Sequence, residues 1–202
     1  MTRLHTFRLR AIAIPALIAG LGAGPIAGTA AHAATPATTP TTQAAAVVQT
    51  TEHTTKSVAP VAGLDTTQMG HAKTIVDQVH QMHLPSKAAV IAVATSMQET
   101  NLYNLANTGL PESENMPNDG TGYDHDSVGL FQQRPASGWG AVDELMDPAT
   151  SAHKFLTALE QVPGWQDMPV TVAAQTVQGS AFPDAYAQHQ DQAQTVVDAL
   201  TK

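Results

Sequence analysis

The chain has 202 residues, with 9 Lys and Arg against 17 Asp and Glu, and it contains no cysteine. That acidic balance excludes nucleic-acid binding by charge, which needs clustered Lys and Arg to neutralise phosphates. The absence of cysteine excludes disulfide staples and thiolate chemistry, so a folded domain must stand on its apolar core.

In chain order, Arg3, Arg8 and Arg10 precede an uncharged run from Ala11 to Ala31 that closes on Ala31-His32-Ala33. A basic start, an apolar stretch and a small-x-small site read as a secretory signal peptide over 1–33, hence a secreted protein, extracellular or associated with the cell wall. Gly20, Gly22, Gly24, Pro15 and Pro25 interrupt the run. Its apolar centre is short for a bilayer, so cleavage is expected over retention as an anchor, leaving no stable membrane span. Cleavage leaves six basic residues against seventeen acidic ones, a net charge of −11 with His neutral. Residues 34–64, as in Thr38-Thr39-Pro40-Thr41-Thr42, are mostly Ala, Thr, Pro and Val. Such a stretch lacks the large apolar side chains that offset ordering entropy and reads as a disordered spacer. The alternative is a strand built on Val47, Val48, Val58 and Val61, with a weak period of two.

A folded domain is expected over 65–202. Asp65 is placed to cap a helix whose apolar stripe runs Met69, Ala72, Ile75, Val76, Val79 and Met82. Leu84-Pro85-Ser86 breaks that helix and caps the next. Residues 87–98 are apolar almost all round and mostly small, which predicts a central, closely packed helix. From Leu102 to Asp126 the density of Asn, Asp, Gly and Pro predicts a long irregular polar lobe with room for a short hairpin. Helical patterns return at 148–161, opening on Asp147-Pro148, then at 169–178 and 184–200. The fold class is therefore mainly α, one helical domain with one polar lobe.

Glu99 lies at the end of the central apolar helix, and the chain later reads Asp124-His125-Asp126-Ser127-Val128-Gly129-Leu130-Phe131-Gln132-Gln133. A carboxyl group in the last turn of a buried helix is disfavoured as an anion by desolvation and by the partial negative charge of the helix end. Both effects favour a neutral acid able to protonate a leaving oxygen; the competing reading is a solvated glutamate in a frayed turn.

Gln98-Glu99-Thr100-Asn101-Leu102 and Ser127-Val128-Gly129-Leu130-Phe131-Gln132 resemble the Glu-Ser-x-Phe and Ser-x-Gly-Leu-Met-Gln segments of the lysozyme-like superfamily, particularly bacterial soluble lytic transglycosylases and related phage or actinobacterial wall lysins. Ala173 to Ser180 followed by Tyr186 is similar to the helix and loop that carry the family's Tyr-Asn-Ala-Gly motif. The resemblance spans about residues 66–200 and implies a lysozyme-like fold with Glu99 as catalytic acid. It also implies a substrate surface formed by Ser127, Gly129, Gln132 and Tyr186, with peptidoglycan glycan strands as partner and no cofactor. The chain departs from the family in a longer stretch between Glu99 and Ser127, in Thr100 for Ser, and in Gln178-Gly179-Ser180 where Tyr-Asn is usual.

A transglycosylase needs no second carboxylate, whereas a hydrolase needs a partner Asp or Glu, for which Asp124 and Asp126 are available. Both also read as turn-forming aspartates bonded to local amides. Phe131, Trp139 and Trp165 read as core or as sugar-stacking faces, and Arg134 as a partner of Asp126, Glu144 or a substrate carboxylate. His80 and His83 lie three apart on a helix face without a third ligand in register, and Asp124-His125-Asp126 lacks the glycine and glutamate of a calcium loop, so no metal site is expected. Ser180 is outside any Gly-x-Ser-x-Gly elbow. The reading from a different class is a secreted, non-catalytic wall-binding or partner-binding protein on the same scaffold. No feature of the sequence sets an oligomeric state.

Overall fold

The structure, a computed structural model, describes residues 59–179, 182 and 184–202. The segment read as a signal peptide, most of the spacer and Ser180 lie outside the described residues. Packing begins before Asp65: Leu64, assigned to the spacer by composition, is a core residue, and Val61 packs beside it. The Leu64 amide closes a turn onto the Val61 carbonyl at 3.0 Å, and Gln192 donates to the Ala62 carbonyl at 2.8 Å.

The described domain is mainly helical. Helix α1 spans Thr66–Gln81. Asp65 accepts from the Gln68 amide at 2.9 Å while the Gln68 side chain accepts from the Asp65 amide at 2.8 Å, a reciprocal box that satisfies two otherwise orphaned donors. The predicted stripe of Met69, Ala72, Ile75, Val76 and Val79 is buried. Helix α2 spans Ser86–Thr100, with Pro85 and not Ser86 in the cap position. The fixed φ of proline sets the extended residue before the helix, so Ser86 is already helical and makes no side-chain cap. Residues Ala88 to Met97 are all buried. Four alanines among them let neighbouring helices approach closely on every side.

At the end of α2 two residues adopt left-handed backbone, Asn101 (φ 54°) and Leu102 (φ 62°). Their amides bond back to Met97 at 3.0 Å and Ser96 at 3.2 Å, closing the last carbonyls of the helix. Leucine pays about 1 kcal/mol or more for this conformation. Its complete burial opposes that cost and directs the chain into the lobe just past Glu99.

The lobe contains two short strands, β1 (Leu105–Asn107) and β2 (Gly120–Gly122), paired in parallel with Ala106 opposite Thr121. This corrects the expected hairpin. The intervening chain holds a one-turn helix α3 (Pro111–Glu114) and is long enough for a crossover, which parallel pairing requires and a tight hairpin does not. Asn107 organises the lobe from inside, donating to the Ser127 carbonyl at 2.9 Å and accepting from the Gly109 amide at 2.8 Å. Asp119 ties the lobe to α1 by accepting from the Asn104 amide (2.8 Å) and pairing with His71 (2.7 Å).

Helix α4 (Val142–Met146) has no counterpart in the sequence pattern. It supplies Leu145 and Met146 to a small second core with Ala106 and Val128, and Trp139 packs against both cores. Helix α5 (Pro148–Glu160) starts as predicted, with Asp147 accepting from the Thr150 amide at 2.8 Å. Helix α6 (Val170–Gln178) ends at left-handed Gly179. Helix α7 (Gln190–Leu200) begins six residues later than the pattern suggests, after a 3-10 turn over Ala187–His189. The delay has a packing reason: Ala193, Val196 and Val197 form the buried stripe of α7, whereas Tyr186 enters the core from the preceding turn. The principal packing is α1 on α5 and α2 on α6 and α7, which leaves α2 in the centre. Among the described residues no helix is long and apolar enough to cross a membrane.

Candidate active site

The segment from Val128 to Gln133 is a tight turn closed by two reciprocal backbone bonds, each 3.0 Å, between its end residues. Four elements fix it. The Leu130 carbonyl accepts from the Ser96 and Thr100 hydroxyls of α2, both at 3.0 Å. The Phe131 carbonyl accepts from the Gln178 amide at the end of α6 at 2.8 Å, and its ring stacks on Phe155 of α5 with centroids 4.7 Å apart. The Gly129 amide donates to Leu105 of β1 at 2.8 Å. Buried carbonyls at a turn tip would otherwise stay unpaired at a cost of about 1–3 kcal/mol each, so these hydroxyls and the amide are required partners.

Glu99 stands beside this turn in the last turn of α2. Protein surrounds its carboxyl densely, while the residue keeps partial access to solvent. Burial pushes its pKa above the ordinary carboxylate value and outweighs two donors that favour the anion, the Tyr186 hydroxyl and the Gln178 amide. Tyr186 donates to Glu99 Oε1 at 2.8 Å. The negative charge of Asp124 also acts on Glu99 and raises its pKa further. The neutral form is thereby favoured relative to that of an exposed carboxyl, while the Tyr186 and Gln178 donors are in place for the anion.

The four residues implied as substrate-binding are placed differently from one another. Tyr186 is buried and meets the acid itself. Ser127 is buried, and its carbonyl anchors the lobe through Asn107. Gly129 is buried with φ 76°, and a Cβ added there would lie 2.1 Å from the Leu145 carbonyl oxygen, so the position admits only glycine for packing reasons. Gln132 is half-buried, in left-handed backbone, with its amide over the Gly129 carbonyl at 3.3 Å. Of the four, Gln132 is the one that is not fully buried.

Asp126 pairs with Arg134 and accepts from the Ala136 amide at 2.7 Å. Burial would raise its pKa, but the Ala136 amide and the Arg134 guanidinium prevail and hold it below the usual value. It is a loop brace. Asp124 is half-exposed and pairs with His125 at 2.8 Å. Glu144 pairs with Lys154 at 3.1 Å and accepts from the Ala141 amide at 3.0 Å. Phe131 and Trp165 are core residues, and Trp139 is partly buried against both cores. His83 lies beyond the end of α1 with φ 56°, so it does not share a helix face with His80. Among the described residues no group of three or more His, Asp or Glu is arranged to hold a metal.

Sequence reasoning missed Gln178 as a site residue, noting it only as a departure from a motif. The available signal was a polar side chain closing an otherwise apolar helix just before a glycine. Comparison with known proteins adds nothing to this site, since no protein-family model matches the chain and no curated protein is significantly similar to it.

Proposed function

We propose that this chain is a secreted enzyme that cleaves the glycan strands of peptidoglycan, a lytic transglycosylase or muramidase of lysozyme-like architecture, with Glu99 as general acid and base. The observation that carries the reading is the enclosed Glu99 carboxyl with the Tyr186 hydroxyl on Oε1, in the last turn of the central helix and beside the Val128–Gln133 turn. An alkoxide leaves poorly at neutral pH, so cleavage requires a proton at the bridging oxygen, and a carboxyl favoured in its neutral form can supply it. After donation the carboxylate is held by Tyr186 and Gln178. In the transglycosylase route it then accepts the proton of the muramyl 6-hydroxyl as that oxygen closes onto the anomeric carbon. This route asks for one carboxyl only. Asp126 is committed to Arg134 and Ala136, which favours it over a hydrolysis that would recruit Asp126 as its second carboxylate.

The test is incubation of the purified protein, residues 34–202, with peptidoglycan and mass spectrometry of the soluble fragments, alongside Glu99→Gln. The expected result is 1,6-anhydromuropeptides from the wild type and a loss of at least about 10²-fold in the variant, the usual worth of a positioned proton donor. Reducing-end products would assign hydrolysis instead. Equal release by the variant would overturn the role of Glu99. Retention on sedimented peptidoglycan without release would favour the non-catalytic wall-binding reading.

A further inference from the structure

The turn that carries Tyr186 is held to α2 at a second point, one residue before the acid. Gln188 Nε2 donates both to the Ala185 carbonyl at 3.0 Å and to Gln98 Oε1 at 2.9 Å. A carbonyl can only accept, so the Gln188 amide nitrogen must face Ala185, and the Gln98 atom it meets must be the oxygen. His189 Nε2 lies 3.1 Å from that same oxygen and must therefore carry the hydrogen. Burial holds His189 toward its neutral form, consistent with a neutral ring donating through Nε2. Consecutive side chains of α2 thus grip the turn from Ala185 to His189: Gln98 takes two donors from it, and Glu99 takes the Tyr186 hydroxyl.

We propose that Gln98 is a positioning residue, a double acceptor that docks the Ala185–His189 turn so that the Tyr186 hydroxyl is held on the Glu99 carboxyl. The docking matters because the turn has little regular structure of its own. Among the described residues between Gly179, which ends α6 in left-handed backbone, and Gln190, where α7 starts, the regular structure is the 3-10 turn Ala187–His189. The connector's internal bonds, from the Ala185 amide to Phe182, the Ala187 amide to Asp184 and the His189 amide to Tyr186, set the local curl of the turn, whereas its seat on α2 depends on contacts between the two. With Gln98 in place the phenol is delivered at 2.8 Å. Without it the turn loses both side-chain bonds that Gln98 accepts, and the direction of the Tyr186 hydroxyl is less firmly set.

This inference rests on the proposed role of Glu99 only for its catalytic meaning; the coupling itself is measurable without turnover. The titration of Glu99 is followed by NMR of its labelled side-chain carboxyl carbon in the full domain, assigned by comparison with Glu99→Gln. Because the Tyr186 bond favours the anion, Tyr186→Phe should raise the Glu99 midpoint. Gln98→Ala should raise it too, and the double variant should move it no further than Tyr186→Phe alone, the signature of two residues acting through one bond. Gln188→Leu combined with His189→Leu removes both donors without touching α2 and should reproduce the Gln98→Ala shift, which keeps the test decisive if Gln98→Ala does not fold. Gln192→Ala, which removes a bond from α7 to Ala62 elsewhere, should leave the midpoint unchanged. An unshifted midpoint in the folded Gln98 or Gln188/His189 variants, or full additivity with Tyr186→Phe, would overturn the proposal. A coupled titration in a protein that releases no glycan would keep the docking role and sink the enzymatic reading instead.

Discussion

Gly129→Ala separates a packing role from a substrate role at a position where sequence resemblance points to substrate. The new methyl would sit 2.1 Å from the Leu145 carbonyl oxygen and 3.2 Å from its carbon, both backbone atoms of α4 that cannot rotate away. The backbone there is at φ 76°, a conformation costing a non-glycine residue about 1–2 kcal/mol. Relieving the overlap requires the turn or α4 to shift, which for overpacked sites costs a further ~1–3 kcal/mol. Gly138 is the matched control: its φ is 83°, and an added Cβ would meet nothing within 4 Å. Gly138→Ala should therefore show the conformational cost alone, and Gly129→Ala about 2–5 kcal/mol in all. Urea unfolding monitored by tryptophan fluorescence measures the difference. With slopes of about 1–3 kcal/mol per molar urea, the midpoint of Gly129→Ala should fall below that of Gly138→Ala by on the order of 1 M. Equal midpoints would refute the account of Gly129 as a glycine imposed by Leu145.

Further expectations concern the carboxyl groups and the turn. The folded pKa of Glu99 lies above its unfolded value, so its stabilising protonated state is fully present below the unfolded pKa and is lost as pH rises through the folded one. Glu99→Gln should accordingly melt at a higher temperature than wild type at neutral pH, with the gap closing toward pH 4; calorimetry across that range checks it. Asp126 has the opposite sign, contributing stability above its unfolded pKa that is lost on acidification, and Asp126→Asn should cost about 1 kcal/mol for a partly exposed pair. The same variant should retain glycan release in a fragment assay, since the carboxyl braces Arg134 and the Ala136 amide. Phe131→Ala removes a fully buried ring stacked on Phe155 and should cost ~3–5 kcal/mol in chemical denaturation.

The long helices were legible because their signals are local. Asp65 reads as a helix cap, Asp147-Pro148 spells a helix start, and Ala88 to Met97 is apolar almost all round. The short elements were not, since α3 and α4 have four and five residues, too few to show a period or to stand without tertiary support. Strands of three residues with glycine at both ends of β2 carry no alternation to read, so the lobe's turn-rich character was visible and its parallel pairing was not. At the candidate site, Glu99 was singled out from its address at a helix end together with the motifs around it. Tyr186 was singled out only for its nearness to a motif, and its contact with the acid depends on a turn whose geometry no local pattern encodes. Ser127 and Gly129 show the converse limit: a motif names residues that face inward as readily as those that face a ligand.

The bond between Tyr186 and Glu99 joins positions 87 apart in the chain. Closing so wide a span is entropically unfavourable until α2, the Leu130 turn and α7 have docked together. Before that moment residue 99 is an ordinary solvated glutamate, ionised at neutral pH. The raised proton affinity of Glu99 is therefore an output of completed folding, and a partly unfolded chain lacks it.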